Sequence, residues 1–329
     1  MRRNLLTDVA GVRVGHAGDE RVATGVTAVV FDEPAVASVD VRGGGPGTFD
    51  TELLDPSRTV GAIDAIVLSG GSAFGLDAGA GVQAWLRAAG RGFAVGAARV
   101  PIVPGAILFD LLNGGDKNWG RFPPYRDLAW AAAAAAGAEF ALGSAGAGLG
   151  ATTVNFKGGI GSASAVTATG FAVAALTAVN AAGSAVICDG PWFWAAAWEE
   201  AGEFGGHGLP AAVPPGALAL RTKGAPGQST TLVVVATDAV LSKAQARHLA
   251  VMAHDGLARA LYPVHTPLDG DIVFAAATGR RPLGDAVLDL TAIGIAAADV
   301  TARAVARAVW EASAVAAAPS SPPAYRDRF

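Results

Sequence analysis

Three hydroxyl residues, Ser229, Thr230 and Thr231, stand directly before the apolar run Leu232-Val233-Val234-Val235-Ala236. A Ser or Thr hydroxyl is a weak nucleophile unless a base sits beside it, and one available base is the residue's own α-amino group, exposed when the preceding peptide bond is cut. That amine titrates at roughly pKa 7.7 to 8.0, so it can accept a proton near neutrality. Before the cut, the same hydroxyl could attack the preceding carbonyl, form an ester and let water release a new N-terminus. The stretch upstream suits such a cut: Pro214, Pro215, Gly216, Gly224 and Pro226 mark an exposed connector that ends abruptly at the apolar run. The alternative is that the triplet merely begins a strand, where Thr is favoured.

Other polar residues in apolar or Gly-rich surroundings are candidates for the same site. Asp269 and Asp271 flank Gly270 just before an apolar strand, so a tight turn could aim two carboxylates at one place; the alternative is a solvated Asp-Gly turn. Lys157 lies in "VNFKGGIGSAS" and Asn180 in "TAVNAAG". Taken singly, these two also read as a loop lysine and a turn former.

The elements that must position these residues follow from periodicity. Strands are expected near Thr24 to Phe31, Ala65 to Leu68, Ala165 to Val179 with a break at Gly170, Ala185 to Cys188, and Thr231 to Ala236. Helices are expected over Ala73 to Ala89, Asp127 to Ala136, Lys243 to Leu261 and Thr291 to Ala316. The third has a capping box in "SKAQ", and Leu249, Met252, Ala253, Leu257, Ala260 and Leu261 recur at helical spacing. The last third of the chain therefore reads strand, helix, strand, helix. Strands apolar at nearly every position imply sheets covered on both faces, an α/β layered fold.

Composition narrows the partner. The chain has 329 residues, 52% hydrophobic and 16% charged, which indicates an extensive core. Its formal net charge of −4 comes without blocks of either sign, so neither nucleic acid nor an anionic membrane is expected as partner. A small-molecule or peptide substrate remains. The stretch from Gly170 to Cys188 is long and apolar, but Asn180, Gly183 and Ser184 interrupt it, which argues against a membrane helix. Cys188 is the sole cysteine, which excludes an internal disulfide and fits a cytoplasmic protein. His16, His207, His248, His254 and His265 show no compact metal motif, and the Gly-rich stretches lack a Walker lysine, so no metal or other cofactor is expected. The first residues lack a secretory signal pattern, and the tail "AAAPSSPPAYRDRF" reads as loose.

The stretches "DVRGGGPGT", "LSGGSAFGLDAGAGV", "VPIVPGAILFDL", "NFKGGIGSAS", "STTLVVVATDA" and "VHTPLDGDIVFAAATG", in this order, resemble the self-processing hydrolases of peptidase family S58. That family includes L-aminopeptidase/D-amidase/esterases, β-aminopeptidases and nylon oligomer hydrolases. The resemblance implies an αββα sandwich like that of N-terminal nucleophile hydrolases, and self-cleavage into a large portion, residues 1–229, and a small one, residues 230–329, that together form one folded domain. Matched by position, it implies that Thr230 is the nucleophile, with Ser229 across the cut. It implies that Asp269 and Asp271 hold the Thr230 amine, that Asn180 donates to the oxyanion, and that Lys157 tunes the local charge. Phe109, in "ILFDL", stands where characterised relatives carry a tyrosine, and so removes a hydroxyl from the pocket. The expected substrates are linear amides such as 6-aminohexanoate oligomers, with short peptides and amino-acid amides as the alternative. An acyl transfer or a non-catalytic role is further off. The resemblance also implies a homotetramer of processed chains.

Overall fold

Strands with apolar side chains on both faces have to be covered twice, and here two sheets cover each other while helices cover the outsides. The computed structural model describes residues 2–223 and 228–329. Among these the strands are β1 (Val12–Asp19), β2 (Thr24–Val41), β3 (Thr48–Phe49), β4 (Ile63–Ser69), β5 (Phe93–Val95), β6 (Ala98–Val100), β7 (Gly105–Ile107), β8 (Ile160–Val166), β9 (Ala172–Asn180), β10 (Thr230–Ala239) and β11 (Ile272–Arg281). The α-helices are α1 (Ala78–Ala88), α2 (Tyr125–Ala134), α3 (Lys243–Ala260) and α4 (Ala286–Trp310).

β2 belongs to both sheets. Its first half pairs antiparallel with β1 and β4, and its second half pairs antiparallel with β11. From β4 the first sheet continues through β7 to β3; from β11 the second continues through β10 and β9 to β8. β10 and β11 run parallel, with α3 as the crossover between them.

Alternation along the strands assigns the layers. Val26, Ala28 and Val30 of β2 point outward to Val82 of α1 and Ala129 of α2, whereas Val29 and Phe31 point inward to meet Leu232, Val234 and Phe274 of the other sheet. On the far side, Val233, Val235, Val273 and Ala275 pack against Leu249 and Leu257 of α3 and Ile293 and Val300 of α4. The order is helix pair, sheet, sheet, helix pair: the αββα sandwich.

Several expected boundaries move. The polar Asp32, Glu33 and exposed Pro34 do not end β2; the pairing with β4 is irregular there, and the strand passes through it from one sheet into the other. The expected break at Gly170 is a turn with φ +87° joining β8 to β9. Ala185 to Cys188 is no strand. Bridges from Ser184 to Tyr262 and from Val186 to Phe193 replace a ladder, because Gly190 and Pro191 fold the chain back at once so that the Ile187 N–H reaches the Trp192 carbonyl. The helix expected from Ala73 begins as a 3-10 turn, Ser72–Asp77, before α1. α4 starts at Ala286 instead of Thr291, because Asp285 accepts from the Val287 and Leu288 N–H groups as N-cap, and it ends at Trp310. The capping box of α3 forms as read, Ser242 Oγ accepting from the Gln245 N–H. No helix among the described residues is long and apolar enough to cross a membrane.

Phe31 is fully buried between the sheets. Phe31→Ala should cost about 3–5 kcal/mol of stability, measured by denaturant unfolding, against about 1 kcal/mol for loss of the α3 cap in Ser242→Ala.

Candidate active site

Register brings the candidate residues together. Thr230, the first residue of β10, lies directly opposite Asn180, the last of β9. One residue earlier, Ser229 forms a parallel bridge with Asp269, on the turn that leads into β11. Ser229, Thr230, Asp269 and Asp271 are all buried.

At the Ser229–Thr230 peptide, Thr230 Oγ1 lies 2.5 Å from the Ser229 carbonyl oxygen, and the Gly270 N–H donates to that oxygen at 2.8 Å. Hydroxyl, carbonyl and a polarising amide thus meet at one bond. Gly270 holds this place because it has no side chain: a Cβ there would sit 2.6 Å from the Gly45 carbonyl oxygen and 2.7 Å from Thr230 Oγ1. The loop Gly43-Gly44-Gly45 clamps the same turn, Gly45 N–H donating to the Asp269 carbonyl at 2.8 Å and Arg42 N–H to the Asp271 carbonyl at 3.0 Å. A Cβ on Gly43 would lie 2.3 Å from Asp271 N, so only glycine lets the two backbones approach this closely.

Neither carboxylate is hydrogen-bonded to Thr230 in the continuous chain; they hold its surroundings. Asp269 accepts from the Ala182 N–H at 2.9 Å and from Thr266 N–H and Oγ1 at 3.1 and 2.6 Å. Asp271 Oδ1 accepts from the Thr231 N–H at 2.7 Å. Burial, then the neighbouring Asp271 charge, pushes the Asp269 pKa up. Asn180 uses both ends of its amide. Its Nδ2 donates to the Phe109 carbonyl at 3.0 Å and to the Gln228 carbonyl at 3.3 Å, while Oδ1 accepts from the Thr152 N–H at 3.0 Å. The amide that reaches the Ser229 carbonyl is therefore that of Gly270, and the one from Asn180 reaches the carbonyl one residue before it.

Two lysines bring positive charge to this region, and only one was legible in the sequence. Lys157 is fully buried and donates to the Leu149 carbonyl at 2.9 Å; burial lowers its pKa to about 8, and the nearby Asp110 carboxylate offsets part of the drop. Lys223 was hidden in the connector. Its ammonium donates to Thr152 O at 2.5 Å, Thr152 Oγ1 at 2.9 Å and Asn180 Oδ1 at 2.8 Å, three acceptors for its three N–H groups. Burial lowers its pKa to about 7, with Asp269 opposing the drop and Lys157 adding to it. A lone lysine between a polar connector and glycine carries no periodicity that would mark it.

A cavity of about 470 Å³ opens beside these groups, lined among others by half-buried Phe109, Asp110, Asn113, Thr152, Lys223 and Gln228. Of the connector residues, Pro215 and Gly216 are exposed and Pro214 is half-buried, while Gly224 and Pro226 lie outside the described residues.

The sequence profile of Peptidase family S58 matches residues 4–321. The chain belongs to peptidase family S58. A protein named uncharacterized aminopeptidase from Mycobacterium tuberculosis is 45% identical over 290 residues, 84% of this chain and 82% of its own length. A 6-aminohexanoate-oligomer endohydrolase from a Kocuria species is 28% identical over 325 residues, 90% of this chain and 83% of its own. Among solved structures, a Burkholderia β-aminopeptidase superposes with a TM-score of 0.69 at 27% identity, covering 95% of this chain and 88% of its own. The L-aminopeptidase D-Ala-esterase/amidase of Ochrobactrum anthropi superposes at 0.71 with 21% identity, covering 98% and 90%. Described as a new variant of the Ntn hydrolase fold, it establishes the same fold here. As a member of family S58, this chain is a hydrolase of amide or peptide bonds.

Lys157 gives a pH test. Its folded pKa of about 8 lies below its ordinary 10.5, so between these values the unfolded chain binds a proton that the folded chain has released, and this contribution to stability rises with pH. Unfolding midpoints measured from pH 8 to 10 should climb more in the parent than in Lys157→Met, which lacks the titrating group.

Proposed function

We propose that the chain cuts itself between Ser229 and Thr230 and then hydrolyses amides with Thr230 as N-terminal nucleophile. The observation that carries this reading is the contact of Thr230 Oγ1 with the Ser229 carbonyl, whose oxygen also takes the Gly270 N–H. Oγ1 attacks the Ser229 carbonyl carbon, the Gly270 amide stabilises the oxyanion, the bond to Thr230 N breaks, and that nitrogen takes up the hydroxyl proton. Water then hydrolyses the ester, leaving Ser229 with a carboxylate and Thr230 with a free amine. The products are a large portion, residues 1–229, and a small portion, residues 230–329, within one folded unit.

Turnover repeats the chemistry on a substrate. Thr230 Oγ1 attacks the substrate carbonyl, its amine carries the proton to the leaving nitrogen, and water releases the acyl group from the threonine ester. Asp271 holds the backbone just after Thr230 through the Thr231 N–H, Asp269 ties Ala182 to the turn at Thr266, and the charge of the pair favours the protonated amine. Asn180 Nδ2, which holds the Gln228 carbonyl before the cut, becomes the oxyanion donor once the Gln228-Ser229 end withdraws. Lys157 and Lys223 balance the carboxylates. Phe109 leaves the cavity wall without a phenol hydroxyl.

For the substrate, the 45% identical relative named as an aminopeptidase favours release of N-terminal residues from short peptides and amino-acid amides. Internal cleavage of linear oligoamides such as 6-aminohexanoate oligomers is the second reading, supported by the 28% identical endohydrolase and by the Asp-Gly-Asp turn with a threonine nucleophile. The proposed working form is a cytoplasmic homotetramer of cut chains.

Purified protein should run as two fragments, and terminal sequencing of the smaller one should read Thr-Thr-Leu. A Ser-Thr-Thr start would make Ser229 the nucleophile, and a chain that stays intact and inactive would sink the reading. Thr230→Ala should remain uncut and inactive. Mass spectrometry of products from a panel of peptides, amino-acid amides and linear oligoamides separates stepwise release at the amino end from internal cleavage.

A further inference from the structure

Asp271 is held from two sides. Its Oδ1 accepts from the Thr231 N–H, one residue past the proposed nucleophile, and its Oδ2 accepts from both the backbone N–H of His265 at 3.1 Å and the His265 ring Nδ1 at 2.9 Å. A carboxylate has no proton to give, so Nδ1 carries the hydrogen of the last bond. Residue 265, whose backbone and ring both reach this oxygen, has φ +55°, a left-handed conformation in which most side chains with a Cβ are disfavoured. The ring is then fixed from behind. It meets His254 of α3 edge-on, with centroids 4.8 Å apart, and His254 Nε2 lies 3.1 Å from the Asp40 carbonyl oxygen. Asp40 is itself paired with Arg42 and Arg247.

We propose that His265 is a positioning residue for the threonine nucleophile: through Asp271 it fixes the main chain at Thr231, and with it the aim of Thr230 Oγ1 and of the amine released by cleavage. The inference rests on the reading of Thr230 as nucleophile. What the ring supplies is one N–H donor in a fixed direction. A residue with such a donor that tolerates the left-handed region can replace it, whereas one that only tolerates that backbone cannot. Asparagine meets both conditions and glycine only the second.

The test compares the parent with His265→Asn and His265→Gly, following the rate of Ser229–Thr230 cleavage, the kcat and KM of the cut enzyme on an amino-acid amide, and the melting temperature. Glycine should slow cleavage and lower kcat by roughly ten- to hundredfold, the scale of one hydrogen bond to a charged group, with KM little changed. Asparagine should recover most of both rates. If the glycine variant is insoluble, His265→Asp, which tolerates the left-handed region but has no N–H to offer Asp271, takes its place with at least the same expected loss. The proposal is overturned if the donor-less variant cuts and turns over like the parent with only a lower melting temperature, or if asparagine is as slow as glycine. A parent that neither cuts itself nor hydrolyses amides overturns the proposed function, and this inference with it.

Discussion

The hydrogen bond from the Gly270 N–H to the Ser229 carbonyl ties together parts of the chain that are otherwise far apart. Ser229 precedes the strand β10, Gly270 the strand β11, and the two strands are parallel neighbours joined only by the long crossover through α3. Parallel pairing makes both strands start at the same edge of the sheet, so the residues just before them face each other. The Asp-Gly-Asp turn can therefore lie against the Ser-Thr-Thr triplet. The Gly43-Gly44-Gly45 loop presses on the turn from the β2 side, in a space where added Cβ atoms would collide with backbone. A peptide unit held this way has little freedom to rotate away from the hydroxyl beside it.

Electrostatics around this peptide are those of a buried, nearly balanced cluster. Asp110, Asp269 and Asp271 are each at most 3% exposed, and the lysines Lys157 and Lys223 lie among them. Burial acts on the two kinds of group in opposite directions, raising Asp110 and Asp269 and lowering Lys157 and Lys223, so the gap between acid and base narrows. Opposite charges brought together in this way offset one another inside the buried site.

The layered fold was legible because both sheets are apolar at nearly every strand position, and because the Ser242 capping box and the spacing of Leu249, Ala253 and Leu257 mark α3 without ambiguity. Local polarity misled where tertiary pairing decides. Asp32-Glu33-Pro34 reads as a strand end, yet β2 continues through it because β11 takes over as its partner. At the site, Thr230, Asn180, Asp269 and Asp271 could be picked out as polar residues beside apolar runs, which is where strand ends deliver side chains. Lys223 and His265 could not. Their roles come from long-range contacts to Asn180 and Asp271 that no local spacing encodes.

The central claim is that the Gly270 amide, placed by a backbone approach that excludes a side chain, holds the Ser229 carbonyl for attack by Thr230. Following self-cleavage of Gly270→Ala over time, with circular dichroism confirming a folded chain, tests it most directly. The added methyl must push against the Gly45 carbonyl and Thr230 Oγ1, so cleavage should slow by roughly tenfold or more relative to the parent. A folded Gly270→Ala protein that cuts at Ser229–Thr230 as fast as the parent would contradict the account.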